Sequence, residues 1–234
     1  MPLANASSVT AADGITGALA IASGSADVFA FLKFHDVFTS AMTGNTALLG
    51  MALGQGHILE ATRSLAALLG FAAGSVLGTV IHDASATAPV RSRLRRVIGV
   101  EALCLALVAV LWPLVAHPVY GMPLFVLIVV ASAAMGMQSV AARVIDLPGI
   151  TTVVFTTTLT MITMGLTRAV SHKGGSPAVK PITWLQITVM SCYLAGAIVS
   201  GGLSMIHPDS MALPECIAVL SAFVMARSFE VPAA

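Results

Sequence analysis

The chain has 234 residues, 57% of them hydrophobic and only 9% charged, with a formal net charge of +1 and a mean hydropathy of +0.95. Soluble domains carry roughly 25% charged residues, so a water-soluble globular protein is excluded, and the near-neutral balance leaves no footprint for nucleic acid. The composition is that of an integral membrane protein whose first partner is the lipid bilayer.

Residues 1–13 are rich in Ala, Ser and Thr and contain no Lys or Arg, so they lack the basic segment of a cleavable signal peptide and read as a disordered N-terminal tail. Apolar runs then follow at 14–32, 37–55, 61–81, 98–116, 122–142, 150–167, 184–206 and 212–228, with a short C-terminal tail at 229–234. A helix needs about 20 apolar residues to cross a bilayer. Most runs meet that length; the exceptions are 37–55 and 150–167, which are rich in Thr. Both open on β-favouring pieces, Val37-Phe38-Thr39 and Ile150-Thr151-Thr152-Val153-Val154-Phe155. Each reads as an extended segment that turns into a half-helix, with Thr43 or Thr156 near its N-cap.

The runs fall into two repeats, 14–116 and 117–228, that match in kind. Asp27 and Gln138 occupy comparable places late in the first run of each, and the Thr-rich runs come second. The third runs carry small residues every four positions, Gly70, Gly74 and Gly78 against Gly196, Ser200 and Ser204, a spacing that lets helices approach closely in lipid. The fourth runs open on Glu101-Ala-Leu-Cys-Leu and Glu215-Cys-Ile-Ala-Val.

Loop charge gives the relative orientation of the repeats. The loop 82–97 holds Arg91, Arg93, Arg95 and Arg96, whereas its counterpart 207–213 holds only Asp209 as a formal charge. The loop 55–60 has no Lys or Arg, whereas its counterpart 167–183 has Arg168, Lys173 and Lys180. Equivalent loops of opposite bias face opposite sides of the membrane, which requires an odd number of crossings per half. The expected fold is an all-α multi-pass membrane protein with six full spans, two Thr-rich re-entrant or broken segments and an inverted internal repeat. Both termini are expected in the cytoplasm.

Polar groups inside the apolar runs are the candidate substrate-binding residues. Asp27 would cost about 2.5–3.5 kcal/mol as a charge at the bilayer centre, so it is either a proton or cation site or a partner bonded to a neighbouring helix. Thr39, Ser40, Thr43, Gly44, Asn45 and Thr46 in the first half, and Thr151, Thr152, Thr156, Thr157 and Thr158 in the second, could replace water around a solute; alternatively they satisfy the backbone of a broken helix. Gln138 could bind solute or serve as a packing amide. Glu101 and Glu215 read as first-turn residues that favour the helix dipole. The arginines from 91 to 96 read as topology determinants touching anionic headgroups. Cys104, Cys192 and Cys216 lack metal-like spacing, the histidines show no His-x-x-x-His pair, and neither a Gly-x-Ser-x-Gly nor a Walker A motif occurs. No cofactor, metal or enzymatic activity is expected.

The order Asp27, Phe31, Phe38, Met42-Thr43-Gly44-Asn45-Thr46, Gly136-Met137-Gln138 and Leu147-Pro148-Gly149-Ile150-Thr151-Thr152 resembles the YoaK-like family of bacterial inner-membrane proteins. The chain departs from it at Thr156-Thr157, where a Thr-Gly pair is expected. The family is one of unknown function, so the resemblance implies a multi-pass inner-membrane protein and no activity. The functional expectation is a small-solute secondary transporter or channel, with a polar midplane site formed by the two Thr-rich segments and with proton coupling through Asp27. Its solute would be small and polar or anionic. The rival is a non-transporting structural, assembly or lipid-interacting membrane protein; a homo-oligomer is compatible with either.

Overall fold

The computed structural model describes residues 6–84, 87–145, 155–171 and 181–229. They form eight α-helices: α1 (Ala6–Lys33), α2 (Met42–Gln55), α3 (Ile58–Asp83), α4 (Val90–Leu111), α5 (Gly121–Ile145), α6 (Phe155–Ser171), α7 (Pro181–Ile206) and α8 (Leu213–Met225). Among the described residues six helical segments are long and apolar enough to cross a membrane, carrying α1, α3, α4, α5, α7 and α8. α2 has 14 residues, about 21 Å at 1.5 Å per residue, against a hydrocarbon core of about 30 Å, and cannot span.

Close approaches fix the direction of each helix. Gly17, Gly24 and Val28 of α1 meet Cys192, Tyr193 with Ala197, and Gly201 of α7, in that order, so α1 and α7 are parallel. Gly70, Gly74 and Gly78 of α3 meet Val129, Ala133 and Met137 of α5 in the same ascending way. Gly14 faces Met225 and Gly99 faces Phe223, so α8 runs against both α1 and α4. It follows that α1, α4 and α7 run one way and α3, α5 and α8 the other. The segment carrying α2 therefore joins two spans at one face of the bundle, and the segment carrying α6 joins two spans at the opposite face. Both described ends of the chain lie on one face.

The bundle is centred on α1 and α5. In α1 78% of the apolar window is buried inside the protein, against 17% in α7. α7 and α8 pack on α1, while α3 and α4 pack on α5, so the same arrangement occurs twice. The outer faces carry exposed Leu69, Val76, Leu103, Ile198 and Ile217, the surface expected toward lipid. One end of the core gathers Phe29, Phe34 and Trp112 edge-to-face, with centroids 5.0 to 6.0 Å apart.

Two corrections concern element boundaries. Residues 6–13, read as a disordered tail, belong to α1: alanine is the best helix former, and Ala12 is buried in a cluster with Ala226 and Phe229 beyond the end of α8. α4 begins at Val90, well before the apolar run at 98, because the arginines are also good helix formers. Glu101 thus lies in the middle of α4 and cannot cap its dipole.

Candidate functional site: a carboxylate clamp and two buried glutamates

The turn out of α1 begins the site. His35 and Asp36 both take positive φ, 59° and 65°, and the Asp36 N–H donates to the carbonyl of Phe31 at 3.1 Å, a Schellman-like reversal. His35 is held in this position by a 3.0 Å ring-nitrogen contact with the Val119 carbonyl and by the Tyr120 ring. The chain then folds back into the bundle through Val37, Thr39 and Ser40, all buried.

Asp27 receives that segment. Its Oδ1 accepts from the Thr39 N–H (2.9 Å), the Ser40 N–H (2.7 Å) and more weakly the Thr39 hydroxyl (3.3 Å). Its Oδ2 accepts from the Ser40 hydroxyl (2.7 Å) and the Tyr193 hydroxyl of α7 (2.8 Å). An ionised carboxylate offers about four lone-pair sites, so these donors fill it. Asn45, also buried, pairs with both sides of the Phe38 backbone: its Oδ1 accepts from the N–H at 2.9 Å and its Nδ2 donates to the carbonyl at 2.6 Å. Gly44 lies where a Cβ would come within 2.9 Å of the Phe38 ring, which accounts for the glycine there. The N-cap of α2 is Ala41 and not Thr43, and no side chain caps it. Asp27 instead takes up the N–H groups of Thr39 and Ser40, the two residues that precede this N-cap.

The remaining candidates scatter. Thr43 and Thr46 are exposed, and Thr46 donates to the Met42 carbonyl of its own helix at 2.9 Å. Thr156 and Thr157 are exposed and Thr158 is buried. In α6, Thr160, Thr163 and Thr167 donate to carbonyls three or four residues back, as hydroxyls in apolar surroundings commonly do. Thr151 and Thr152 lie outside the described residues. α2 packs on α3 and α6 on α7, rather than on each other, so among the described residues the two Thr-rich segments do not build one shared midplane site.

Gln138 is fully buried on α5, and its Nε2 donates to the Leu19 carbonyl (2.9 Å) and the Ser23 hydroxyl (2.6 Å) of α1. It is therefore a bridge between the central helices and not a counterpart of Asp27. The helix register agrees: Gly24 and Gly136 play the same packing role, and Ser139 falls opposite Asp27.

Sequence reasoning underrated two residues. Glu101 is 0% and Glu215 1% exposed, and none of their four carboxyl oxygens has a protein hydrogen-bond partner. Glu101 sits on α4, which packs on α5; on α5 the Oε1 of Gln138 is likewise buried and unpartnered. Glu215 sits in the first turn of α8, which packs on α1, within electrostatic reach of Asp27. The repeated Glu at the head of the fourth run of each half was the available signal. Among the described residues, no three His, Cys, Asp or Glu side chains come together as a metal site.

Six helical segments long and apolar enough to span define a multi-pass transmembrane protein. The chain belongs to the family described as protein of unknown function DUF1275, which matches over residues 15–226. It is 29% identical over 191 residues, covering 82% of each chain, to the UPF0700 transmembrane protein YoaK of Bacillus subtilis strain 168. No solved structure matches it.

Proposed function

We propose that the protein is a proton-coupled secondary transporter of a small polar solute, built as an inverted repeat in the bacterial inner membrane. The observation that carries this reading is the pair Glu101 and Glu215, one in each half, wholly buried with no protein partner. A bare carboxylate in an apolar interior is too costly to persist, so such a group holds a proton or meets a cation, and intramembrane ionisable groups are functional by default. The repeat is supported by matched glycines: Gly24 meets Tyr193 and Gly196 meets Ile21, just as Gly136 meets Phe71 and Gly74 meets Ala133. Cytoplasmic termini are favoured by charge, because Arg91, Arg93, Arg95, Arg96, Arg143, Arg168 and Arg227 gather toward the face that carries both described chain ends.

Asp27 is assigned a fastening role here, because both its carboxyl oxygens are taken up by donors from Thr39, Ser40 and Tyr193. The same feature favours the rival reading of a non-transporting structural protein, in which Thr hydroxyls and Asp27 only hold the fold. Proteoliposomes loaded with a pH-sensitive dye decide between them, using a panel of small anions, amino acids and nucleobases under an imposed pH gradient. One solute class is expected to dissipate the gradient with the parent protein. Glu101→Gln and Glu215→Gln, which keep shape and remove the titrating proton, are expected to fold and to lose the coupled flux, while Asp27→Asn keeps it. Unchanged pH dependence in both glutamine variants defeats the coupling assignment, and a parent that moves nothing leaves the structural reading in its place.

A further inference from the structure

A groove of about 860 Å³ opens on the lipid-facing side between α4 and α8, near the end of the bundle where the arginines gather. Its α4 wall is one helical stripe: Ser92, Arg95 and Arg96, Gly99, Leu103 and Ala106 recur at three- and four-residue spacing. From Ser92 to Ala106 the stripe runs about 21 Å along the helix axis, enough to pass from the headgroup zone through one leaflet, whose hydrocarbon is about 15 Å deep. The polar residues are all at the terminal end of this stripe, and the rest is apolar. Small side chains hollow it out: a Cβ on Gly99 would already lie 3.3 Å from the Phe223 ring opposite.

Arg95 is placed at the mouth. Its guanidinium carbon sits 4.8 Å above the Phe223 ring centroid, and its Nε is buried with no protein hydrogen-bond partner. The planar guanidinium fork suits a phosphate bidentately, and stacking on an aromatic face holds it in place without consuming its donors. A second copy of the chain is a poor occupant, because a two-fold contact on this face would bring Arg95 and Arg96 against their own images.

We propose that this groove is a binding site for an anionic phospholipid, with the phosphate at Arg95 and Arg96 and one acyl chain laid along Gly99, Leu103 and Ala106. Charge complementarity selects the headgroup, and the depth of the apolar stripe selects a lipid over a soluble anion. The site does not depend on the transport reading.

The test uses the full chain in mild detergent, with native mass spectrometry and thermal shift as readouts, and with phosphatidylglycerol, phosphatidylethanolamine, oleate and inorganic phosphate as probes. Phosphatidylglycerol is expected to be retained over phosphatidylethanolamine by about thirtyfold, the preference two arginines near an anionic headgroup supply, and to raise the melting temperature. Arg95→Gln with Arg96→Gln should abolish the preference. Ala106→Trp, which fills the apolar end and leaves the arginines untouched, should abolish the thermal shift as well. Equal retention of both phospholipids by the parent overturns the proposal, as does full replacement of the phosphatidylglycerol effect by inorganic phosphate or by oleate. A preference that survives in Ala106→Trp also overturns it, since the acyl chain would then lie elsewhere.

Discussion

The bundle contains two close-packed helix pairs, α1 with α7 and α3 with α5, which meet through the same glycine spacing and differ in the polar side chains beside the seam. On the α1–α7 pair Asp27 gathers backbone and hydroxyl donors from Thr39, Ser40 and Tyr193. Counted from Gly136 and Gly74 as Asp27 and Tyr193 are from Gly24 and Gly196, the matching positions on the α3–α5 pair are Ser139 and Phe71. No carboxylate and no phenol are present there. What the two pairs do share is the close-packed glycine seam, each with a neighbouring helix that carries a buried glutamate. The Asp27–Tyr193 contact belongs to the α1–α7 pair, so removing it should leave the α3–α5 seam intact.

The largest effect should come from the shared seam. A Cβ on Gly74 would collide with the Ala133 backbone, and one on Gly196 with the Ile21 backbone. Gly74→Leu and Gly196→Leu should each abolish recovery of monodisperse protein from membranes, and to the same extent if the two pairs are equivalent. Gly50→Ala and Gly54→Ala, where a Cβ meets nothing within 4 Å, should leave recovery unchanged or improved.

Next comes the clamp itself. Asp27→Ala strands two backbone N–H groups and two hydroxyls in a buried site, at roughly 1–3 kcal/mol for each donor left unpaired, so a loss of about 4 kcal/mol or more is expected. Ser139→Ala on the other pair should cost less than about 1 kcal/mol. Asp27→Asn should be mild, because its oxygen can keep the two N–H groups while the Ser40 and Tyr193 hydroxyls reverse to accept from the amide. Thermal unfolding of the three variants in detergent orders them, and an Asp27→Ala protein as stable as Ser139→Ala would erase the contrast between the pairs.

Smaller still is Tyr193→Phe, which copies Phe71 of the α3–α5 pair and removes one bond to Asp27. It should lower stability by about 1–2 kcal/mol without altering the helix packing. The smallest effect should be a gain. Asp36 is exposed at φ 65°, so Asp36→Gly relieves a left-handed residue and should raise stability by up to about 1 kcal/mol. A measurable loss would show that the Asp36 side chain has a part in the turn.

Much of this frame could be read from hydropathy and loop charge, since a span and a non-spanning segment differ in length and in where their ends emerge. The spacing of Gly70, Gly74 and Gly78 likewise announced a close contact, because nothing else in lipid explains such a row. Helix starts were harder. The arginines before residue 98 are polar yet excellent helix formers, so the hydropathy edge fell inside α4 and made the mid-helix Glu101 look like a cap. The Thr residues misled for another reason: in apolar surroundings a Thr hydroxyl can satisfy itself on the carbonyl three or four residues back, so composition alone does not say whether it faces a solute. The clamp was half visible, as Asp27 and the Thr39-Ser40 pair are near neighbours, but Tyr193 lies 166 residues away.

That long separation governs the order in which the molecule can be put together. α1 precedes the other described helices, yet those it packs on most closely, α7 and α8, follow all of them. Until α7 arrives, Gly24 and Ser25 have no partner helix, and the Asp27 Oδ2 lacks the Tyr193 hydroxyl. α3, α4 and α5, by contrast, can dock on one another as soon as they emerge. The middle of the chain thus sets before α1 does, and α1 is clasped in place only once α7 and α8 have followed it out.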